Sequence, residues 1–262
     1  ASKSARGNSQ GGCSPCFCFE SMKEKTVQLF SGGFDSVLQE WMLKPDVLLY
    51  VDMKTSYSER ELEALDRLPA RYRKKLIIKE LPLGEYEREN KYLPYRNLLL
   101  GAIAMEYGQH VYFGFNRTDD APDKDRVFMT RLNYLFEHLN KNCIGDMHWP
   151  TENFSFSSPF KKYTKTDMVR MCLDNGMPAS LIQSIRSCYD GESQKGCGQC
   201  AVCLNKAVAL INNGIFREDL FDSPITVETL ETRLAYVQEN AYPECLAKDY
   251  RRAIKNLRKF QK

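Results

Sequence analysis

Histidine is scarce in this 262-residue chain, with only His110, His138 and His148. None is set in a nucleophile pattern, which argues against a Ser-His or Cys-His hydrolase. Long apolar runs are missing too. The longest, Leu98-Leu99-Leu100-Gly101-Ala102-Ile103-Ala104-Met105, is far short of the roughly 18 residues that suggest a membrane span. The first twenty residues hold only the short patch Cys16-Phe17-Cys18-Phe19, not the apolar stretch of a secretory leader, so the chain reads as cytoplasmic with no membrane partner. Charge of one sign is not in excess: 37 Lys and Arg against 34 Asp and Glu give +3, too mild to predict a nucleic-acid partner. With 43% hydrophobic and 27% charged residues, disordered, collagen-like and coiled-coil classes drop out as well.

What is present is cysteine, ten in all, and four fall within sixteen residues. In a chain read as intracellular, such clustering points to a metal before a disulfide framework. Cys188, Cys197, Cys200 and Cys203 are spaced C-x8-C-x2-C-x2-C, and four thiolates make a closed tetrahedral Zn²⁺ site of structural type. An iron–sulfur cluster stays open as an alternative, although the repeated ferredoxin spacings are absent. Cys143, Cys172 and Cys245 read as packed thiols. Cys13, Cys16 and Cys18 lack a matching second pair.

Residues 1–21 are rich in Ser, Gly and other small residues, which predicts a flexible extension or tag, with Met22 as the natural start. Beyond it, β-rich runs alternate with helical ones, the signature of an α/β fold with a parallel sheet flanked by helices. Strands are predicted at Thr26–Phe30, Val47–Val51, Lys75–Lys79 and Val111–Phe115. Helices are predicted at Asp35–Leu43, closed by Lys44-Pro45, and at Ser58–Leu68 and Pro94–Tyr107. After Pro159 the pattern is helical, over Thr164–Asp174, Ala179–Ser187, Val202–Asn212, Val227–Glu239 and Glu244–Phe260. The expected organisation is an α/β core over 22–160 and a helical lobe with the cysteine site over 161–262.

The first strand runs into Ser31-Gly32-Gly33-Phe34-Asp35-Ser36 and then a helix. Two glycines let backbone N–H groups turn inward, the serine hydroxyls add donors, and the helix dipole favours an anion. Asp35 would repel a bare phosphate, so it predicts either a Mg²⁺ ion or a helix cap. The string has neither the third glycine of a dinucleotide fingerprint nor the Gly-Lys-Ser/Thr of a Walker loop.

It resembles the SGGxDS signature of the pyrophosphate-loop ATPases, which cleave ATP between the α and β phosphates. Together with the four cysteines, the match narrows to the 7-cyano-7-deazaguanine synthases, a Rossmann-like, QueC-like branch. Tyr92-Leu93-Pro94-Tyr95-Arg96-Asn97-Leu98-Leu99 is similar to the family's VPGRNLL. Gly114-Phe115-Asn116 followed by Asp119 is similar to GVNxxD, and Pro159-Phe160 with Thr164-Lys165 to PL…TK. The resemblance runs from about Thr26 to Leu210.

The resemblance implies an ATP-dependent carbon–nitrogen ligase of queuosine biosynthesis. It would adenylate 7-carboxy-7-deazaguanine, capture it with ammonia, and dehydrate the amide to a nitrile, with ATP, Mg²⁺ and Zn²⁺ as cofactors and a homodimer as assembly. It assigns Ser31, Gly32, Gly33, Asp35, Ser36, Asp52, Asn97, Gly114 and Asn116 to ligand binding. Lys165, Arg96 and Asp119 receive catalytic roles, and the four cysteines hold the metal. Two stretches depart from the family. FDYGQRH is replaced by Val51-Asp52-Met53-Lys54-Thr55-Ser56-Tyr57, and DYSGYPDCR by Asp119 to Arg126. The activating half is intact while the acceptor half has changed, so a second expectation is a protein amine acceptor, as in QueC-like antiphage proteins. A third is tRNA modification, for which Lys248, Arg251, Arg252, Lys255, Arg258, Lys259 and Lys262 would meet phosphates. A fourth is a zinc module without turnover.

Overall fold

The computed structural model describes residues 24–119, 121–141, 153–188 and 195–260. The expected N-terminal extension with Cys13, Cys16 and Cys18, and also Cys143 and His148, lie outside the described residues.

Alternation of apolar side chains builds the sheet. Along β2 (Val47–Asp52), Leu48 and Tyr50 enter one apolar cluster while Leu49 and Val51 enter another, as period 2 requires of a strand buried on both faces. It pairs in parallel with β1 (Thr26–Leu29) and β3 (Leu76–Glu80). β4 (His110–Tyr112) adds beyond β1, and β5 (Ser155–Ser157) closes the edge. The order is β3-β2-β1-β4-β5, all parallel. Strand order reverses at β1/β4, and a crevice opens at the carboxyl ends of those two strands.

Helices α1 (Phe34–Leu43) and α6 (Lys165–Asp174) cover one face, where Val37 and Leu38 meet Met168 and Val169. Helices α4 (Arg96–Ala104) and α5 (Arg126–Lys141) cover the other around Phe113, Leu132 and Phe156. Short α2 (Ser58–Asp66) and α3 (Ala70–Arg73) link β2 to β3. α1 ends where Lys44 turns left-handed (φ 48) ahead of Pro45 and donates its N–H to Glu40 O at 2.9 Å.

The remaining helices are α7 (Ala179–Ser184), α8 (Ala201–Asn212), α9 (Val227–Glu239) and α10 (Glu244–Phe260). α8, α9 and α10 enclose their own cluster of Leu204, Val208, Leu230, Val237, Tyr250 and Ile254. Packing runs across residue 160, because Phe160, Met168 and Ile182 share a cluster with Phe34 and Leu48. No described helix is long and apolar enough to cross a membrane.

Three elements are absent from the sequence expectation, α3, α5 and β5. β5 is three residues, Ser-Phe-Ser, too short and too polar to read by alternation. Its edge is fixed by a tertiary contact: Asn133 of α5 donates from Nδ2 to Phe156 O at 2.9 Å, and its Oδ1 accepts from Phe156 N at 2.9 Å. One side chain thus satisfies both main-chain groups of a buried edge residue. Asn133→Ala is expected to cost about 2 kcal/mol in urea unfolding, since each orphaned buried group costs about 1–3 kcal/mol.

Candidate active site

Gly32 makes the loop after β1 possible. Its φ is +70°, and a Cβ there would lie 2.9 Å from Leu65 Cδ2, so a side chain is excluded both by conformation and by space. The turn aims the N-terminus of α1 into a cleft of about 570 Å³ lined by Ser31, Gly33, Asp35 and Ser36. Gly32 itself is not on the lining. Ser36 spends its hydroxyl inside the loop, donating to Gly33 O at 2.9 Å. Free N–H groups at such a helix start favour an anion.

Opposite charges then converge on Asp35. Lys165 is the first residue of α6, placed by a capping box. Thr164 Oγ1 accepts from Asp167 N at 3.3 Å and Asp167 Oδ2 accepts from Thr164 N at 2.9 Å. Its ammonium pairs with Asp35 Oδ2, which also accepts from Asn116 Nδ2 at 3.0 Å. Asp35 Oδ1 is buried with no hydrogen-bond partner among the described residues. A buried carboxylate oxygen in that state fits a hard cation, and a phosphate-bound Mg²⁺ would take it.

Asn116, 1% exposed, follows β4. Its Oδ1 accepts from Thr118 N at 2.8 Å and Thr118 Oγ1 at 2.6 Å, and its N–H goes to Asp119 Oδ2 at 2.8 Å. Burial works to raise the Asp119 pKa, yet Lys124 and Lys165 nearby and the hydrogen bonds from Asn116 and Lys124 hold it below the usual carboxylate range. Lys124 Nζ lies 3.1 Å from Asp119 Oδ1. Gly114 is also on the lining, and a Cβ there would meet nothing within 4 Å. Glycine keeps that part of the floor open.

A second cluster forms the wall from β2, α2 and α4. Arg96 NH1 donates to Tyr57 Oη at 3.0 Å, and Tyr50 Oη donates to Glu61 Oε2 at 3.0 Å. Burial, outweighing the Tyr50 hydrogen bond and the Arg96 charge, lifts the Glu61 carboxyl to about 7. Asn97, 4% exposed, reaches the lining but ties down the next loop, donating to Asp123 Oδ2 at 2.8 Å.

Asp52 is placed differently. It is 1% exposed, off the cleft lining, and held by Lys54 Nζ at 2.7 Å and Lys54 N at 2.9 Å. Lys54 also pairs with Glu80 at 2.8 Å. Asp52 therefore braces the β2 exit and has no open path to a ligand in the cleft.

The four sulfurs of Cys188, Cys197, Cys200 and Cys203 lie within 4.8 Å of one another. Cys197 Sγ accepts from Gln199 N at 3.4 Å and Cys200 N at 3.3 Å, and Cys200 Sγ from Cys203 N at 3.5 Å. A Cβ at Gly196 would come within 2.9 Å of Cys203 Sγ, and one at Gly198 (φ +78) within 2.3 Å of Ser223 O. Backbone amides and absent side chains thus shape a cradle for four thiolates. The hydrogen bond from Cys203 pulls Cys200 down to about 5, and the same bond together with burial pushes Cys203 up. The donor set fits a tetrahedral zinc ion, which would let all four ionise. Cys188 also lines the cleft, so the cysteine cluster and the cleft share a wall.

Sequence reading missed Tyr50, Tyr57, Glu61 and Lys124, and from the C-terminal helices Arg233, Tyr242 and Leu246, all on the lining. A β2 tyrosine and an α2 glutamate carry no motif, and only the fold brings them face to face.

Fold and site together define a doubly wound α/β protein with a glycine loop at a helix start and a cluster of four cysteines. The family model described as queuosine biosynthesis protein QueC matches residues 70–214. The chain belongs to that family. Among its relatives, 7-cyano-7-deazaguanine synthase 1 of Colwellia psychrerythraea is 24% identical over 224 residues, 73% of this chain and 96% of the relative. The 7-cyano-7-deazaguanine synthase of Campylobacter curvus is 26% identical over 213 residues, 69% and 90%. That of Pseudoalteromonas atlantica is 26% identical over 223 residues, 73% and 96%.

Two outcomes follow for solution work. Cys200→Ser is expected to leave well under one zinc per chain by atomic absorption. It should also lower the melting temperature by at least about 5 °C, given that structural zinc supplies folding free energy. The Glu61 carboxyl rises from its ordinary 4.5 to about 7, so its contribution to stability is whole below 4.5 and is lost as pH passes through 7. Glu61→Gln should therefore be more heat-stable than the parent above neutrality and lose that advantage in acid, read by melting curves across pH.

Proposed function

We propose that this protein adenylates the carboxylate of a 7-carboxy-7-deazaguanine-type acid with Mg-ATP and passes the acyl group to an amine, giving the amide; with ammonia as the amine, a second ATP then adenylates the amide oxygen, which leaves on AMP to give the nitrile. The observation that carries the reading is the Asp35, Asn116 and Lys165 constellation at a glycine loop and helix start. It combines N–H donors, a cation and a carboxylate with a buried, unpartnered oxygen, which suits a metal-bound polyphosphate. Lys165 would turn from Asp35 to the phosphates once a cation neutralises that carboxylate. Arg96 is placed to pair a carboxylate or phosphate in bidentate fashion. The residues chiefly position reactants and stabilise phosphate charge, and no protein nucleophile is needed. Asp35 would hold Mg²⁺, which would supply neutralisation of the phosphate oxygens. Cys188, Cys197, Cys200 and Cys203 would hold Zn²⁺ in a structural role.

Its relatives' names support the same chemistry. A second reading, in which the amine belongs to a protein, is favoured by one observation. The cleft wall includes Arg233, Tyr242 and Leu246, beyond the stretch matched by the family model, and the β2 exit carries the Asp52, Lys54 and Glu80 cluster in place of the family's string.

The test is pyrophosphate release with Mg-ATP and the acid, with and without ammonia, and with products weighed by mass. Release that depends on the acid, with amide and nitrile appearing on adding ammonia, supports the first reading, and release without any amide supports the second. No release would contradict both. Lys165→Ala is expected to lower kcat for pyrophosphate release by roughly 100-fold, as loss of one preorganised charge at a transition state does.

A further inference from the structure

Besides Asp35 and Asp119, which is paired with Lys124, the cleft is lined by a third carboxyl group that sits among partners that hold it still. Glu61, one turn into α2, lines the cleft and accepts from Tyr50 Oη at 3.0 Å on Oε2. Its Oε1 accepts no hydrogen bond among the described residues. The groups that face it are Tyr50 and Asp52 from β2 and Arg96 from α4. Arg96 is steadied in turn by Tyr57 at 3.0 Å. The side chain that would meet the substrate's carboxylate is therefore beside a fixed carboxyl with one open oxygen. We propose that Glu61 is the base that takes the proton from the attacking amine, an inference that rests on the adenylation reading above.

The step balances. The nitrogen lone pair of ammonia forms the C–N bond at the acyl carbon. The C–O bond to AMP breaks with its electron pair leaving on AMP, and the surplus proton on nitrogen passes to Glu61 Oε1. The next ammonia or bulk water removes that proton. A carboxyl lifted to about 7 by burial is matched to this task at neutral pH. An ordinary exposed glutamate would be too weak a base. Tyr50 and Arg96 are positioning residues: one fixes the carboxyl through Oε2, and the other limits how far burial raises it.

A residue that only packs would weaken every step alike, so the test separates the two half-reactions in the full-length protein. The parent chain and Glu61→Gln are supplied with Mg-ATP, 7-carboxy-7-deazaguanine and either ammonia or hydroxylamine, and pyrophosphate and acyl products are measured across neutral pH. Hydroxylamine is largely unprotonated at neutral pH and a stronger nucleophile, so it needs less help from a base. Glu61→Gln is expected to release pyrophosphate and form hydroxamate within about threefold of the parent, while its amide formation falls by roughly 100-fold or more. The parent's amide rate should rise through pH 7, and the variant's should lose that inflection. Amide formed by the variant at the parental rate, or amide and hydroxamate falling together, would overturn the role of Glu61 and leave adenylation standing. A parent that releases no pyrophosphate with the acid would overturn both.

Discussion

Asp35 places a negative charge at a helix start that otherwise invites an anion, and the site is organised around offsetting that contradiction. Lys165 and Asn116 hold one carboxylate oxygen, while the other is buried and unpaired. An unpaired carboxylate in such surroundings is costly unless a cation joins it. The same residue therefore explains why the loop is not a plain anion pocket, why a lysine from a distant helix reaches across to it, and why Asn116 is buried to 1% exposure at the end of β4. Each partner depends on the fold. β1 and β4 must be neighbours for Asn116 to reach Asp35, and α6 must begin with its capping box for Lys165 to point inward.

The four-cysteine cluster is coupled to this arrangement through packing. Cys188 lies at once on the cleft wall and in the thiolate set, and Cys203 belongs to the apolar cluster of α8, α9 and α10. Buried Lys206 strengthens the link. It donates to Gln183 O at 2.8 Å and Ile185 O at 2.5 Å and lies over the rings of Phe34 and Phe221. Burial draws its ammonium down to about 8. It thereby pins the α7 end, and the chain toward Cys188, onto α8. Arg233 and Tyr242 reach the cleft from beyond the family match.

Local chemistry made much of this legible. The glycine pair, the cysteine spacing and the first four strands follow from backbone freedom, thiolate valence and period 2, all readable a few residues at a time. Arg96, Asn97, Gly114, Asn116 and Asp119, all on the cleft lining, were reached through the resemblance of short strings to the family. What escaped depends on contacts distant in sequence. β5 exists because Asn133 satisfies Phe156, whereas α5 carries a readable helical pattern of its own in Val127, Phe128, Leu132, Leu135, Phe136 and Leu139. Tyr50 and Glu61 meet only after β2 and α2 fold together. Asp52 went the other way: the resemblance implied a ligand contact, but Lys54, two residues on, folds back and occupies it.

Direct transfer of carboxylate oxygen to AMP is the signature of the chemistry assigned to this cleft. With the acid labelled by ¹⁸O in its carboxyl group, Mg-ATP and an amine, the recovered AMP should carry one labelled oxygen per turnover. The pyrophosphate should carry none. Label in pyrophosphate or in released phosphate, or AMP formed without label, would contradict activation of a carboxylate at the Asp35 loop.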